Sequence, residues 1–231
     1  MLRLVCCALL AVWPCATQVA QKANEEYQTS RGRQRAAAEM DNPNRESAEE
    51  TSRLMASLKL KRGDAVADVG TGAGHLLSYI VEYVGTQGSV EAEDIFQDFL
   101  TLAEEKVRAA GWRNVHTVLG TEKDPRLGLL RLDVALVVDT YHHLNYPIPI
   151  LQHIRGALKP NGRLIIVDYY RSRKHPRASD EDLRAHIRAD RDEVVAEVAA
   201  QGFGLMAQFD HLPNEYVLVF VKTSFHGRSG G

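Results

Sequence analysis

Long apolar runs, internal repeats, well-placed cysteines and an excess of charge of either sign are all missing from this 231-residue chain. The three cysteines, Cys6, Cys7 and Cys15, all fall in the first 15 residues. Everything after them is therefore without a thiol nucleophile, a disulfide framework or a Cys-ligated zinc. Lys plus Arg number 28 against 30 Asp plus Glu, a net charge of −2. No broad basic field is available to track a nucleic-acid backbone, so DNA and RNA are not expected partners. Apolar runs stop at Leu4–Trp13, well short of the roughly 20 residues that span a bilayer. With 45% hydrophobic and 25% charged residues the composition is globular, which excludes collagen-like and disordered chains.

What is present begins with a short leader-like pattern. Met1-Leu2-Arg3 and the apolar run behind it have the size and order of a secretory signal, with Ala16 or Ala20 as the last residue removed. Residues 1–20 are read as a signal peptide and the location as periplasmic or secreted; a frayed N-terminal helix in a cytoplasmic protein is the alternative. Cleavage would remove every cysteine and Arg3, leaving a net charge of 27 minus 30, or −3. Residues 21–46 form a polar extension whose Arg31, Arg33 and Arg35 read as a solvated face rather than an anion site. A turn cluster, Asp41-Asn42-Pro43-Asn44-Arg45-Glu46, closes it. Ser47 and Glu50 then have capping-box spacing for a helix to about Leu58 that buries Leu54, Met55 and Leu58. The main domain is expected over 47–224, with a tail at 225–231.

From Ala65 onward, β-type runs alternate with helical ones. Strands are expected at Ala65–Val69, Val90–Asp94, Val115–Leu119, Val134–Val138 and Arg163–Asp168, with helices near Gly74–Val84, Phe96–Ala110 and Ile148–Leu158. This alternation specifies an α/β, doubly wound, mostly parallel sheet with right-handed crossovers. A long amphipathic helix, Asp180–Gln201, is then expected, followed by strands Leu205–Leu212 and Tyr216–Lys222. Those two strands are too close for a parallel crossover, so they form an antiparallel pair at the sheet edge.

The first strand ends in Asp68-Val69-Gly70-Thr71-Gly72-Ala73-Gly74. Its glycines allow a sharp turn and close backbone approach to a ligand at the carboxyl end of the sheet. The Gly-x-Gly-x-Gly spacing differs from the Gly-x-Gly-x-x-Gly of dinucleotide sites, which disfavours a nicotinamide dehydrogenase. Asp68 suits a ligand carrying an ammonium group. Asp94, in Glu93-Asp94-Ile95, lies about 20 residues on, where an acid accepts ribose hydroxyls; it can also cap the next helix. An ammonium at one acid and a ribose at the other describe S-adenosylmethionine.

Together with Asp139-Thr140-Tyr141-His142-His143-Leu144 and Leu158-Lys159-Pro160-Asn161-Gly162-Arg163-Leu164, these segments resemble the class I S-adenosylmethionine-dependent methyltransferases. The resemblance covers about Pro43 to Val221. Within that class it is most similar to exported bacterial proteins that act on small molecules and carry Tyr-His-His after strand four. It implies a Rossmann-like seven-stranded sheet in the order 3-2-1-4-5-7-6, with the last strand antiparallel. It also implies cofactor contacts from Asp68, Gly70, Thr71, Gly72, Gly74, Asp94, Ile95, Glu122 and Asp139. Asn161 replaces a usual glycine, tolerably, since Asn accepts left-handed geometry. Thr121 stands where an adenine-contacting acid is common, which passes that contact to Glu122 or to backbone.

Methyl transfer to a hydroxyl or amine needs a group that takes a proton. His142 or His143 is the expected base, and Asp139 the third residue of the catalytic region or part of the cofactor pocket; packing or backbone hydrogen bonding is the structural alternative for either histidine. Metal is not expected. Asp139 and Asp168 resemble the acid pair of magnesium-dependent catechol-type enzymes, but Tyr169 replaces the Asn that follows there. His142 and His143 are adjacent and lack zinc spacing. A thiol-based arsenical methyltransferase is excluded by the missing cysteines. Substrate selection is assigned to the extension, to Tyr169–Asp180 and to the closing strands. Tyr169, Tyr170, Arg171, Arg173, Lys174 and His175 read as a solvated loop or an anion-contacting lid, and His211, Asn214 and Tyr216 are further candidates. The expected activity is methyl transfer to a small-molecule oxygen, nitrogen or carbon atom. Its rivals are a non-catalytic holder of S-adenosylmethionine or its demethylated product, and a protein-directed methyltransferase.

Overall fold

The computed structural model describes residues 18–42, 48–173 and 179–223. The apolar leader, the three cysteines, Ser47 and its proposed cap, Lys174, His175 and the 225–231 tail lie outside the described residues. Seven strands form one sheet: β1 (Ala65–Val69), β2 (Ser89–Asp94), β3 (Val115–Leu119), β4 (Leu132–Val138), β5 (Leu158–Tyr169), β6 (Phe203–Phe209) and β7 (Glu215–Lys222). Their order is β3-β2-β1-β4-β5-β7-β6. β1 to β5 run parallel, whereas β7 pairs antiparallel with both β5 and β6. The expected order and edge pair are therefore both present.

Period-two alternation splits each central strand between two cores. Val66, Val134, Leu136, Ile165, Val167 and Val217 face one layer, with α2 (Ala48–Leu58), α3 (Leu77–Val84) and α4 (Gln97–Ala110) on that side. Ala67, Ala135, Val137, Leu164, Ile166 and Leu218 face the other, covered by α5 (Pro147–Ala157) and α7 (Arg191–Ala200). Burial on both faces explains why the strands read as continuous apolar runs. Leu54, Met55 and Leu58 of α2 are buried as the sequence implied.

Local differences have local causes. Gly74 adopts φ +78°, so the expected helix from Gly74 starts only at Leu77. β5 starts at Leu158, not Arg163, across a register shift against β4. β6 spans Phe203–Phe209 instead of Leu205–Leu212. The single helix expected over Asp180–Gln201 is two, α6 (Asp180–His186) and α7. Ile187 leaves the helix at φ −89°, ψ 109°, and Asp190 with Glu193 forms a second capping box that starts α7. The break buries Ile187, Arg188 and Ala189. Among the described residues, no helix is long and apolar enough to cross a membrane.

The strand order reverses between β1 and β4, where open α/β sheets bind ligands at the carboxyl edge. The extension closes over that edge. Residues 18–23 are helical and α1 (Ser30–Met40), capped by Thr29, packs near α4. Arg33 fastens it: Nε donates to Asp98 at 2.7 Å, Nη1 to the Tyr27 carbonyl at 2.6 Å, and the guanidinium lies 4.8 Å from the Phe96 ring centre. Arg33 is thus a structural fastener, beyond the solvated role read for this arginine group.

Candidate active site

A cavity of about 610 Å³ opens at the carboxyl edge of β1 and β4. This is the size range of small-molecule sites. Asp68, Gly70, Thr71, Gly72, Asp94, Ile95, Glu122 and Asp139 all line it, as do His142 and His143. The structure thus gathers every expected site residue except Gly74, which turns the loop from behind, its missing Cβ facing Leu77 and Ala103.

The loop is held by acids. Glu93 accepts through its carbonyl from the Gly70 and Thr71 amides, at 2.9 and 2.8 Å. Asp94 accepts from the Gly72 amide at 3.0 Å and from the Phe96 amide at 2.9 Å, so it clamps the loop and starts the turn into α4 at once. Asp68 accepts from the Thr71 hydroxyl at 2.8 Å. Gly70 needs its glycine: at φ +78°, a Cβ would come 2.3 Å from Thr140 Cγ2. Asp68, Glu93 and Asp94 are all buried, and none has an ion-pair partner among the described residues. Burial pushes Asp68 and Asp94 each up to about 6 and Glu93 well above the usual carboxylate range, with Asp94 raising Glu93 further by like charge. Three desolvated acids with no ion-pair partner among the described residues favour a positively charged ligand at this end of the cavity, which Arg35 also lines.

At the other side, β4 is followed by Asp139, held at φ +50° with its carboxylate accepting from the Tyr169 hydroxyl at 3.1 Å. A 3₁₀ turn, Tyr141–His143, follows. Asp168, at the end of β5, accepts from the His142 amide at 2.9 Å and meets His142 Nδ1 at 2.6 Å. It also accepts from the Tyr169 amide at 2.8 Å. Burial raises Asp168 to about 7 and pushes both His142 and His143 well below the usual histidine value. The imidazoles are therefore neutral at pH 7, and Asp168 fixes the orientation of the first.

Several site residues were not read from the sequence. His186, from the last turn of α6, has its ring centre 5.0 Å from that of His142 and 5.1 Å from that of His143. It stood inside what the pattern described as one long amphipathic helix, and no local signal marks it. Asn24 and Tyr27 reach the cavity from the extension; Asn24 Oδ1 meets His143 Nδ1 at 2.8 Å and its amide donates to the His143 carbonyl at 2.8 Å. Arg188, buried at the helix break, donates to Glu197 at 2.5 and 2.9 Å, and Glu197 accepts from the buried Tyr141 hydroxyl at 2.9 Å. That network anchors the histidine turn from beneath.

The described part of the basic-aromatic stretch, Tyr169–Arg173, has its arginines committed to the fold. Arg171 pairs with Glu193 at 2.8 Å, Arg173 pairs with Asp210, and the Arg173 guanidinium lies 3.7 Å from the Tyr170 ring centre. Of the described residues of this stretch, Tyr169 alone lines the cavity. Of the closing-strand candidates, His211 and Asn214 do not line it, and Tyr216 is buried beneath Tyr170. Glu122 accepts from Asn145 at 3.1 Å at the rim, and Thr121 is spent on the turn to Asp124.

Comparison with known proteins bears on the domain family and the fold. A methyltransferase-domain family matches residues 67–164. The fold is similar to a S-adenosylmethionine-dependent methyltransferase from Aquifex aeolicus, with a TM-score of 0.71 and 25% identity over 80% of this chain and 96% of that one. The ubiquinone/menaquinone biosynthesis C-methyltransferase of Erwinia tasmaniensis is 25% identical over 74% of this chain and 72% of its own length. The protein-L-isoaspartate O-methyltransferase of Ignicoccus hospitalis is 33% identical, over 29% of this chain and 32% of its own length. Against the isoaspartate enzymes it matches, the chain spans only about a third to a half of their length. The chain carries a methyltransferase domain on the class I S-adenosylmethionine-dependent methyltransferase fold. S-adenosylmethionine is the methyl donor that this combination implies.

Proposed function

We propose that the protein transfers a methyl group to an oxygen, nitrogen or carbon atom of a small molecule, with His142 as the proton acceptor and Asp168 as its positioning residue. One observation carries the reading: a single cavity holds three buried acids at the glycine loop, none of them ion-paired among the described residues, and neutral imidazoles across from them. The acids fit S-adenosylmethionine, a cationic molecule with ammonium and sulfonium groups. Asp68 would take the ammonium. Asp94 would take the ribose hydroxyls, since each of its oxygens keeps a lone pair beyond the backbone amide it accepts. Ile95 offers an exposed apolar face and Glu122 a polar one at the adenine end, with Asp139 toward the methionine part. When bound, the cofactor supplies the methyl electrophile on its sulfonium.

Proton removal is the task left to this chain. Above about pH 7, where Asp168 is ionised, its carboxylate holds the Nδ1–H of His142 and leaves Nε2 as the basic atom. His143, locked by Asn24, borders the same space. The roof formed by Asn24, Tyr27 and Met40 favours a small acceptor over a polypeptide. The relatives act, by their names, on both carbon and oxygen, so the acceptor atom is set by the test.

Calorimetric titration should show S-adenosylmethionine binding and no NAD binding; tight NAD binding without the other would sink the reading. Across a panel of small acceptors, His142→Ala should keep cofactor affinity and lose about 10²–10⁴-fold in transfer, the usual scale for a general base. Cofactor binding with no transfer to any acceptor would favour the non-catalytic holder. Export is proposed on the leader-like pattern of residues 1–20, and an intact Met1 on the protein isolated from its native host would refute it.

A further inference from the structure

We propose that His142, His143 and His186 form a three-imidazole site for a divalent transition-metal ion, zinc being the ion to test. One ring nitrogen from each of the three lies within 4.8 Å of the other two. His142 and His143 alone are neighbours with no ligand spacing. The break after α6 brings in the third ring, from 44 positions further along the chain.

The surroundings of the rings are what a metal site requires. A ligating histidine usually donates its other ring N–H to a carboxylate or carbonyl oxygen, which fixes the tautomer and aims the ligating nitrogen. His142 Nδ1 has Asp168 at 2.6 Å, and His143 Nδ1 has the Asn24 side-chain oxygen at 2.8 Å. Both arrangements leave Nε2 as the ligand atom. Asn24 is held in turn by its donation to the His143 carbonyl, so its orientation is set at two points. Neutral imidazole is the form that ligates a metal ion.

Three imidazoles select borderline ions such as zinc over magnesium or calcium, which take oxygen ligands. Zinc–nitrogen bonds of about 2.0–2.1 Å would draw the nitrogens to roughly 3.3 Å from one another. His186 sits in the last turn of α6, where only a half-buried side chain must move. A second recess of about 470 Å³, lined by Lys22, Tyr169, Asp182 and His186, also reaches His142 and gives a path from solvent. Three protein ligands leave a fourth position free, as in catalytic zinc sites.

Metal binding stands on these residues alone. Its use does rest on the methyltransferase reading: an ion on Nε2 would replace imidazole as the group that eases proton loss from the acceptor.

The test uses the whole chain, stripped with a chelator and desalted, then titrated with Zn²⁺ against a chromophoric chelator and with Co²⁺ by visible absorption. One equivalent of zinc and the absorption bands of tetrahedral cobalt are expected. His186→Ala should weaken zinc at least about 100-fold, and Asn24→Ala, which removes no ligand, about 10–100-fold. Absence of stoichiometric binding, or unchanged affinity in His186→Ala, overturns the site. Titration of the stripped chain with S-adenosylmethionine is read in parallel. Cofactor binding without metal binding defeats the metal site alone, and metal binding without cofactor binding defeats the methyltransferase reading while upholding this one.

Discussion

Replacing Asp68 by Asn should move stability and cofactor affinity in opposite directions. Asp68 is 3% exposed, and burial, with Asp94 adding like charge against a Thr71 hydrogen bond that works the other way, raises it to about 6 from an ordinary 3.8. A folded-state value above the unfolded one means the native state binds more protons between about pH 4 and 6. Stability contributed by this carboxyl therefore falls as pH rises through that window, and the full penalty applies above it. Two pKa units correspond to about 3 kcal/mol at pH 7.5. Asn keeps the shape and still accepts from the Thr71 hydroxyl, so the cofactor-free variant should recover most of this. For a domain of this size each kcal/mol is worth roughly 2–4 °C in Tm. Melts of the cofactor-free protein should accordingly show Asp68→Asn more stable at pH 7.5 by several degrees, with the gap closing toward pH 4. S-adenosylmethionine, deprived of its ammonium partner, should bind at least about 30-fold more weakly, a loss of about 2 kcal/mol. A variant less stable at pH 7.5, or one with unchanged cofactor affinity, would refute the reasoning.

Two further outcomes follow from packing and charge. Gly70→Ala places a Cβ 2.3 Å from Thr140 Cγ2 at φ +78°; a loss of about 2–4 kcal/mol is expected in denaturant melts, and Thr140→Ala in the same chain should return part of it. Arg188→Met leaves the partly buried Glu197 beside Tyr141 without its cation. Such half-broken pairs cost about 3–5 kcal/mol, and Arg188→Met with Glu197→Leu should be markedly more stable than the single variant.

Much of this architecture is legible in the residues. Runs such as Val134–Val138, apolar on both faces, require a sheet covered on both sides. The closeness of the last two strands forces antiparallel pairing. Gly70, Gly72 and Gly74 after a strand, with Asp94 ending the next, specify where a ligand sits, because strand ends and glycine turns are local in sequence and in space. The break at Ile187 was less legible. Asp190 and Glu193 have capping-box spacing, but the helical period runs across them unbroken, and only the burial of Ile187 and Arg188 makes two helices better than one.

By itself, then, the sequence determined the fold class, the strand order through its resemblance, the glycine loop and its acids, and the position of the His142–His143 pair. Tertiary structure alone decided that Asp168 orients His142, that Asn24 reaches His143 across 119 positions, and that His186 completes a cluster of three imidazoles. It also decided that Arg33 and Arg188 pair with Asp98 and Glu197, while Asp68, Glu93 and Asp94 have no ion-pair partner among the described residues. The physical reason is the same in each case. Periodicity and turn chemistry are set by near neighbours along the chain, whereas desolvation and hydrogen-bond partnership are set by whatever the packed elements bring within a few ångströms.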